Sequence, residues 1–129
     1  MSTLKVNNIS NTGGTKSAAT DDIADGRCRA WVNFDGTGTT GTNQTIRASF
    51  NVSSVYKNGT GDYTVNFTTA MPDVNYCPQV TSTRTTTDVI PSADAVGAYI
   101  RSVSSVRIGI HNVTPTASNA THVYVAVFR

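Results

Sequence analysis

From Arg29 onward, apolar and polar side chains alternate with a period of two. Ala30, Val32 and Phe34 interleave with Arg29, Trp31 and Asn33. Ile46, Ala48, Phe50 and Val52 interleave with Arg47, Ser49 and Asn51, and Tyr63, Val65 and Phe67 with Thr64 and Asn66. The rhythm returns at Val74, Tyr76, Pro78 and Val80, at Val96, Ala98 and Ile100, at Val106, Ile108 and Ile110, and at Val123, Val125 and Val127. A period of two puts alternate side chains on opposite faces of an extended strand, whereas a helix needs 3.6. The residue types agree: Glu is absent, Leu4 is the only leucine, and Val, Ile, Thr and aromatics carry the pattern. Those residues favour strands and disfavour helix.

The runs predict an all-β chain: an antiparallel β-sandwich of seven to eight strands, each with one buried and one wet face. Turn chemistry separates them, at Asp35–Gln44, Asn58–Asp62, Met71–Asp73, Thr85–Asp88 and Thr114–Thr121. Lys57 to Asp62 reads as the tightest hairpin. Pro78 cannot donate to a ladder and predicts an edge strand or a bulge. With 129 residues, one domain of this kind can bury a core without metal or disulfide support.

Residues 1–28 differ and read as an attachment or oligomerisation arm ahead of the domain at 29–129. A short apolar piece holding Leu4, Val6 and Ile9 precedes a Gly/Thr/Ser stretch from Asn11 to Thr20. Asp21 to Gly26 then has the residues of one helical turn, with an Asp as cap and Gly26 as terminator. Leu4, Val6, Ile9 and Ile23 are too few to form a core, so the arm requires something to pack on: the domain, a sister chain or a partner. Uninterrupted alternation of strand direction would put loops 35–45 and 68–73 at the end opposite the arm, facing outward. Loops 83–94 and 112–121 would then lie at the arm end.

The net charge of +2 is small and its charges are interspersed, which argues against nucleic acid as a partner. No run approaches the ~20 apolar residues of a membrane-spanning helix, and the opening MSTLKVNN lacks the apolar run of a secretory leader. Synthesis in a cytoplasm is the expectation. Cys28 and Cys77 leave both a free and a paired state open. Seven Asn-x-Ser/Thr triplets occur, several on expected strands, as an Asn/Thr-rich composition generates by chance.

Chemistry is hard to assemble. His111 and His122 are the only histidines and sit at strand ends. No Gly-x-Ser-x-Gly turn is present. Without Glu, and with most Asp in turn contexts, paired carboxylates for glycoside hydrolysis are not in view. His111, His122, Cys28 and Cys77 lack metal-ligand spacing. The expectation is therefore no catalytic residue, no metal and no cofactor. Trp31, Tyr99, Tyr124 and Phe128 fall on the outward phase of their strands, which points to a second buried surface or to a bulge that shifts the phase.

Three stretches carry a family likeness. Arg29 to Thr39 reads RAWVNFDGTGT, Ile46 to Val55 reads IRASFNVSSV, and Asn58 to Tyr76 reads NGTGDYTVNFTTAMPDVNY. Together they resemble the C-terminal domain of tail-fibre proteins from phages of aquatic bacteria, cyanophages among them. The opening from Ser2 to Ile9 is also similar to the start of such proteins, whereas Cys77 to Arg129 matches only in rhythm. The resemblance implies a structural virion protein without catalysis: a short tail fibre or fibre-tip module, homotrimeric, attaching to a host cell-surface polysaccharide or protein. Residues 1–28 would bind a tail or capsid protein. A capsid decoration or head fibre anchored by the same arm is the alternative. On this reading Leu4, Val6, Ile9, Ile23 and Trp31 are arm or trimer contacts. Tyr56, Arg84, Tyr99 and Arg101 are the candidate receptor contacts, and the same residues are equally ordinary as plain surface.

Overall fold

A computed structural model describes residues 6–14, 17–19, 26–83, 95–111 and 117–129. Among them every regular element is a strand. In chain order these are β1 (Asn8–Ser10), β2 (Ser17–Ala19), β3 (Cys28–Phe34), β4 (Ile46–Phe50), β5 (Val52–Gly59), β6 (Asp62–Phe67), β7 (Cys77–Thr83), β8 (Ala95–Arg101), β9 (Ser105–His111) and β10 (His122–Phe128). Eight of them form two four-stranded antiparallel sheets, sheet I in the order β4-β3-β10-β7 and sheet II in the order β5-β6-β9-β8. β1 and β2 pair separately, so Ser17–Ala19 of the Gly/Thr/Ser stretch is extended and paired.

The inward phase of both sheets supplies one core. Ala30, Val32, Phe34, Val123, Val125 and Val127 of sheet I and Val55, Tyr63, Val65, Val106, Ile108 and Ile110 of sheet II are all buried. The two layers touch through aromatic edges: Phe34 meets Tyr63 with ring centroids 5.2 Å apart at 66°. Tyr76, just before β7, meets Phe67 at 5.8 Å. Its hydroxyl donates toward the Ser105 carbonyl at 2.8 Å and lies 3.0 Å from that of Ser102. Edge-to-face rings gain about 0.5–1.5 kcal/mol beyond the area they bury. Pro78 lies on β7, an edge strand of sheet I, where its missing N–H costs no ladder bond.

The run from Ile46 to Gly59 departs from expectation. It is two strands in two sheets. Asn51 has φ 55°, a left-handed conformation, and there the chain passes from sheet I to sheet II. Its carboxamide compensates. The Nδ2 group donates to the carbonyls of Arg29 and Thr69, both at 3.1 Å, and Oδ1 accepts the Thr69 N–H at 2.7 Å. Asn is among the few residues that tolerate this backbone region.

Two corrections follow from that corner. Phe50 does not face the core: it pairs with Trp31 and shares its outward side. Ala48 also points outward opposite Asn33, while Ile46, opposite Phe34, packs on the core. A register shift between Asn33 and Phe34 resets the phase, as a bulge does. The extra strand β5 also changes the parity of every strand after it. Loop 68–73 therefore lies at the arm end, where Thr69 meets Asn51. β7 ends at Thr83 opposite His122, and Ala120 reaches Gly36, so these segments gather at the end opposite β3's start, with loop 35–45. Loop 35–45 holds its expected place, and residues 84–94 and 112–116 of the other two loops lie outside the described residues. Val74 is exposed in a turn rather than on a strand, with Asp73 Oδ1 accepting the Asn75 N–H at 2.8 Å.

The Asn51 corner makes a graded prediction. Asn51→Gly keeps the backbone conformation and loses the side-chain bonds, costing about 1–2 kcal/mol. Asn51→Ala adds strain at positive φ, about 1 kcal/mol or more beyond that. Urea unfolding midpoints in the order wild type, Gly, Ala check this; equal midpoints for Gly and Ala would show that φ carries no strain.

Candidate binding surface

The end of the molecule opposite Cys28 is built from Gly- and Thr-rich loops that the backbone holds firmly. Asp35 N–H donates to the Thr45 carbonyl at 2.9 Å, Gly36 N–H to Ala120 at 3.0 Å and Gly41 N–H to Lys57 at 2.9 Å. Gln44 N–H donates to Val55 at 2.7 Å. The anchor is Lys57, whose side chain is 2% exposed. Its Nζ donates to the carbonyls of Gly36 at 3.0 Å and Gly38 at 2.7 Å and lies 5.9 Å from the centre of the Tyr63 ring. Burial pushes its pKa below the ordinary lysine value, against the pull of the Asp35 charge. A neutral amine would still own two N–H groups, enough for both carbonyls.

Tyr63 closes the same knot. Its hydroxyl donates to the Gly36 carbonyl at 2.7 Å and lies 3.2 Å from Asn119 Oδ1, which also accepts the Gly61 N–H at 3.0 Å. Gly36 has no room for a side chain: a Cβ there would stand 2.6 Å from the Tyr63 hydroxyl. Gly61, at φ +64°, turns the β5–β6 hairpin and lies against the Ile110 and Ser118 backbones. Alternation hinted that Lys57 shares the phase of Val55, but the surrounding KNGTGD reads as an exposed turn and hides a buried lysine.

The described carboxylates are all engaged. Asp35 accepts from the Thr37 N–H and hydroxyl at 2.9 and 2.6 Å and from Arg47 at 3.1 Å, and these partners hold it below the usual carboxylate range. Asp62 takes a two-pronged contact from Arg107, and Asp73 another from Arg129 that lowers its pKa. His122 stacks on Tyr124 with ring centroids 6.3 Å apart. Both cysteines are free. They sit opposite Phe128 on either side of β10. Two strand spacings separate them by about 10 Å, beyond the roughly 7 Å that a disulfide can bridge.

The candidate receptor residues do not form one cluster. Tyr56 is half-exposed on β5, facing out opposite Thr64. Tyr99 and Arg101 belong to β8 at the far edge of the same sheet, with β6 and β9 between. That separates the two strands by about 14 Å. The side chains of Tyr99 and Arg101 lie outside the described residues, as does Arg84. Of the arm contacts, Val6 and Ile9 are exposed, at 41% and 56%, and Leu4 and Ile23 lie outside the described residues.

A group of aromatics is brought together instead on the outer side of sheet I. Trp31, Phe50, Tyr124 and Phe128 are 41%, 55%, 40% and 38% exposed. Trp31 pairs with Phe50 on one side and Ala126 on the other; Tyr124 pairs with Asn33 and Thr81. Three of these were legible from their outward phase, and Phe50 was hidden by the bulge. A second hollow, of about 470 Å³, lies at the arm end between Arg27, Phe50, Asn51 and Met71. No family model, curated protein or solved structure matches the chain.

The Tyr63 knot predicts an alkaline weakness. Burial, with the Asp35 and Asp62 charges, pushes the phenol from about 10 up to about 12. A raised pKa gives stability that is present below pH 10 and lost as pH climbs toward 12. Tyr63→Phe is expected to cost about 1–2 kcal/mol at pH 8. The gap between the variant and the wild type should narrow between pH 10 and pH 11.5 in urea unfolding; a gap independent of pH would refute the buried hydroxyl's role.

Proposed function

We propose that this chain is a structural virion protein, a short tail fibre or fibre-tip module that attaches a phage particle to its host surface without catalysis. The observation that carries the reading is the polarity of the molecule. Exposed apolar residues of the arm, Val6 and Ile9, precede one end of the domain. A firmly held loop cluster closes the other, where Lys57, Tyr63 and Asn119 tie residues 36–44, 61 and 120 together. A module that must be anchored at one end and touch a surface at the other needs that division. The likeness of residues 29–76 to tail-fibre tips supports the same assignment. The engagement of Asp35, Asp62 and Asp73 by arginines supports a role without acid–base chemistry.

The arm needs a partner because lone apolar side chains in water gain by burial, at roughly 25 cal/mol per Å². Three arms pairing together, or one arm adding to a tail protein by strand pairing, both satisfy it. We take the assembly to be a homotrimer whose arms also hold the tail.

Solution mass tests the assembly. The full chain is expected at three times its 13.6 kDa mass, and Val6→Asp with Ile9→Asp is expected to release folded monomers. A wild-type chain that stays monomeric at micromolar concentration would sink the trimer. Gold labelling of intact particles of the encoding phage tests the placement: signal on the tail is expected, and signal confined to the capsid would replace the fibre with a decoration protein.

A further inference from the structure

We propose that the outer side of sheet I is a binding site for a neutral glycan, with Trp31 and Tyr124 as its stacking platforms. The proposal deepens the attachment reading and rests on it. It also moves Trp31 from the expected trimer contacts to the ligand.

The shape comes from pairing register. Opposing residues in antiparallel strands share a face. One row across the sheet runs Phe50, Trp31, Ala126, Gln79, and the next runs Ala48, Asn33, Tyr124, Thr81. Tyr124 therefore stands between Asn33 and Thr81, and Trp31 between Phe50 on one side and Ala126 on the other. The result is a trough of about 420 Å³ floored by Ala48 and Ala126 and walled by Trp31 and Tyr124. That volume falls in the range of roughly 300–1,000 Å³ found for small-molecule sites. Four strands span about 14 Å, enough for a short run of sugar rings.

The chemistry selects the occupant. A pyranose presents C–H groups on its flat faces and hydroxyls around its rim. The C–H groups suit the electron-rich face of an aromatic ring. The hydroxyls need groups that both donate and accept, which Asn33, Gln79 and Thr81 supply. Asn33 Oδ1 is moreover buried without a hydrogen-bond donor, a state that costs about 1–3 kcal/mol until a donor reaches it. Rotation of the carboxamide toward the trough presents that oxygen to a sugar hydroxyl. No charged residue lines the trough. Of the described arginines on β3 and β4, Arg47 pairs with Asp35 and Arg29 donates to the carbonyl of Arg129. An acidic polysaccharide would find no counter-charge. The outward side of β5, β6 and β9 in sheet II carries one exposed aromatic, Tyr56, and is otherwise more polar. There Asn58 bonds Thr64, Asn66 bonds Ser54 and Arg107 bonds Asp62, satisfying one another.

Trp31 is the single tryptophan of the chain, so its fluorescence reports this trough alone. The full-length protein is titrated with maltohexaose, cellohexaose, laminarihexaose and mannohexaose, and with dextran sulfate as the charged control. Saturable change with at least one neutral hexasaccharide and none with dextran sulfate is expected. For that sugar, calorimetry should show affinity falling at least ten-fold in Trp31→Ala and in Tyr124→Ala, several-fold in Asn33→Ala, and little in Trp31→Phe or Tyr56→Ala. Circular dichroism confirms that each variant is folded. No response to any neutral sugar, or binding that survives loss of both rings, would overturn the site. A drop in solution mass on Trp31→Ala would overturn it too, by making this face a subunit contact. Binding of the labelled chain to host cells separates the two readings. Wild-type binding that Trp31→Ala retains defeats the trough and leaves attachment standing, whereas no wild-type binding defeats attachment itself.

Discussion

One backbone corner decides where every later strand runs. At Asn51 the chain leaves sheet I and begins sheet II, and the corner exists because a carboxamide satisfies three backbone groups at once. Those partners come from the start of β3 and from the loop after β6, so the corner also ties the two sheets together at the arm end. With β4 and β5 in different layers, their apolar residues no longer share a face. Val55 joins the core, and Phe50 is left outside beside Trp31.

The opposite end is held on a different principle. A buried ammonium without a carboxylate is costly by itself, because the low-dielectric interior disfavours charge. Here two carbonyl oxygens and the face of Tyr63 replace the lost water. The bonds go to loop backbone, so the contacts that offset the cost of burying the amine also fix the loop at Gly36 and Gly38. Gly36 is required because the Tyr63 hydroxyl and the Ala120 carbonyl occupy the space a side chain would need. A loop whose composition reads as flexible becomes fixed through long-range partners.

Alternation was enough to read the fold class, the inward residues of β3, β6, β9 and β10, and the outward placement of Trp31 and Tyr124. It failed wherever a local conformation changed the phase without changing the residue types. The Asn33/Phe34 register shift put Ala48 and Ile46 on opposite sides although they are two apart. Asn51 split one run into two strands. One is a positive φ at Asn51 and the other a register shift that leaves Arg47 unpaired in the ladder, and a hydrophobic pattern encodes neither. The split at Asn51 also changed strand parity, which puts loop 68–73 at the arm end. Lys57 was missed for another reason: its acceptors are carbonyls 19 and 21 residues away in sequence, which a local reading cannot supply.

The same distinction bears on function. In an alternating strand the inward phase is constrained by packing, and almost any β-branched or aromatic set serves it. The outward phase is free, so its composition shows what a surface is used for. On β5, β6 and β9 of sheet II that phase holds Tyr56 among polar side chains that bond one another, Asn58 with Thr64, Asn66 with Ser54 and Arg107 with Asp62. On sheet I it is Trp, Tyr and Phe set among Ala and amides, one of which has an acceptor without a donor. Rings that stay 38–55% exposed leave a large share of their apolar surface in water. Two sheets of one chain, built on one alternating pattern, differ in their described outward phases, with four exposed aromatics on sheet I and one on sheet II.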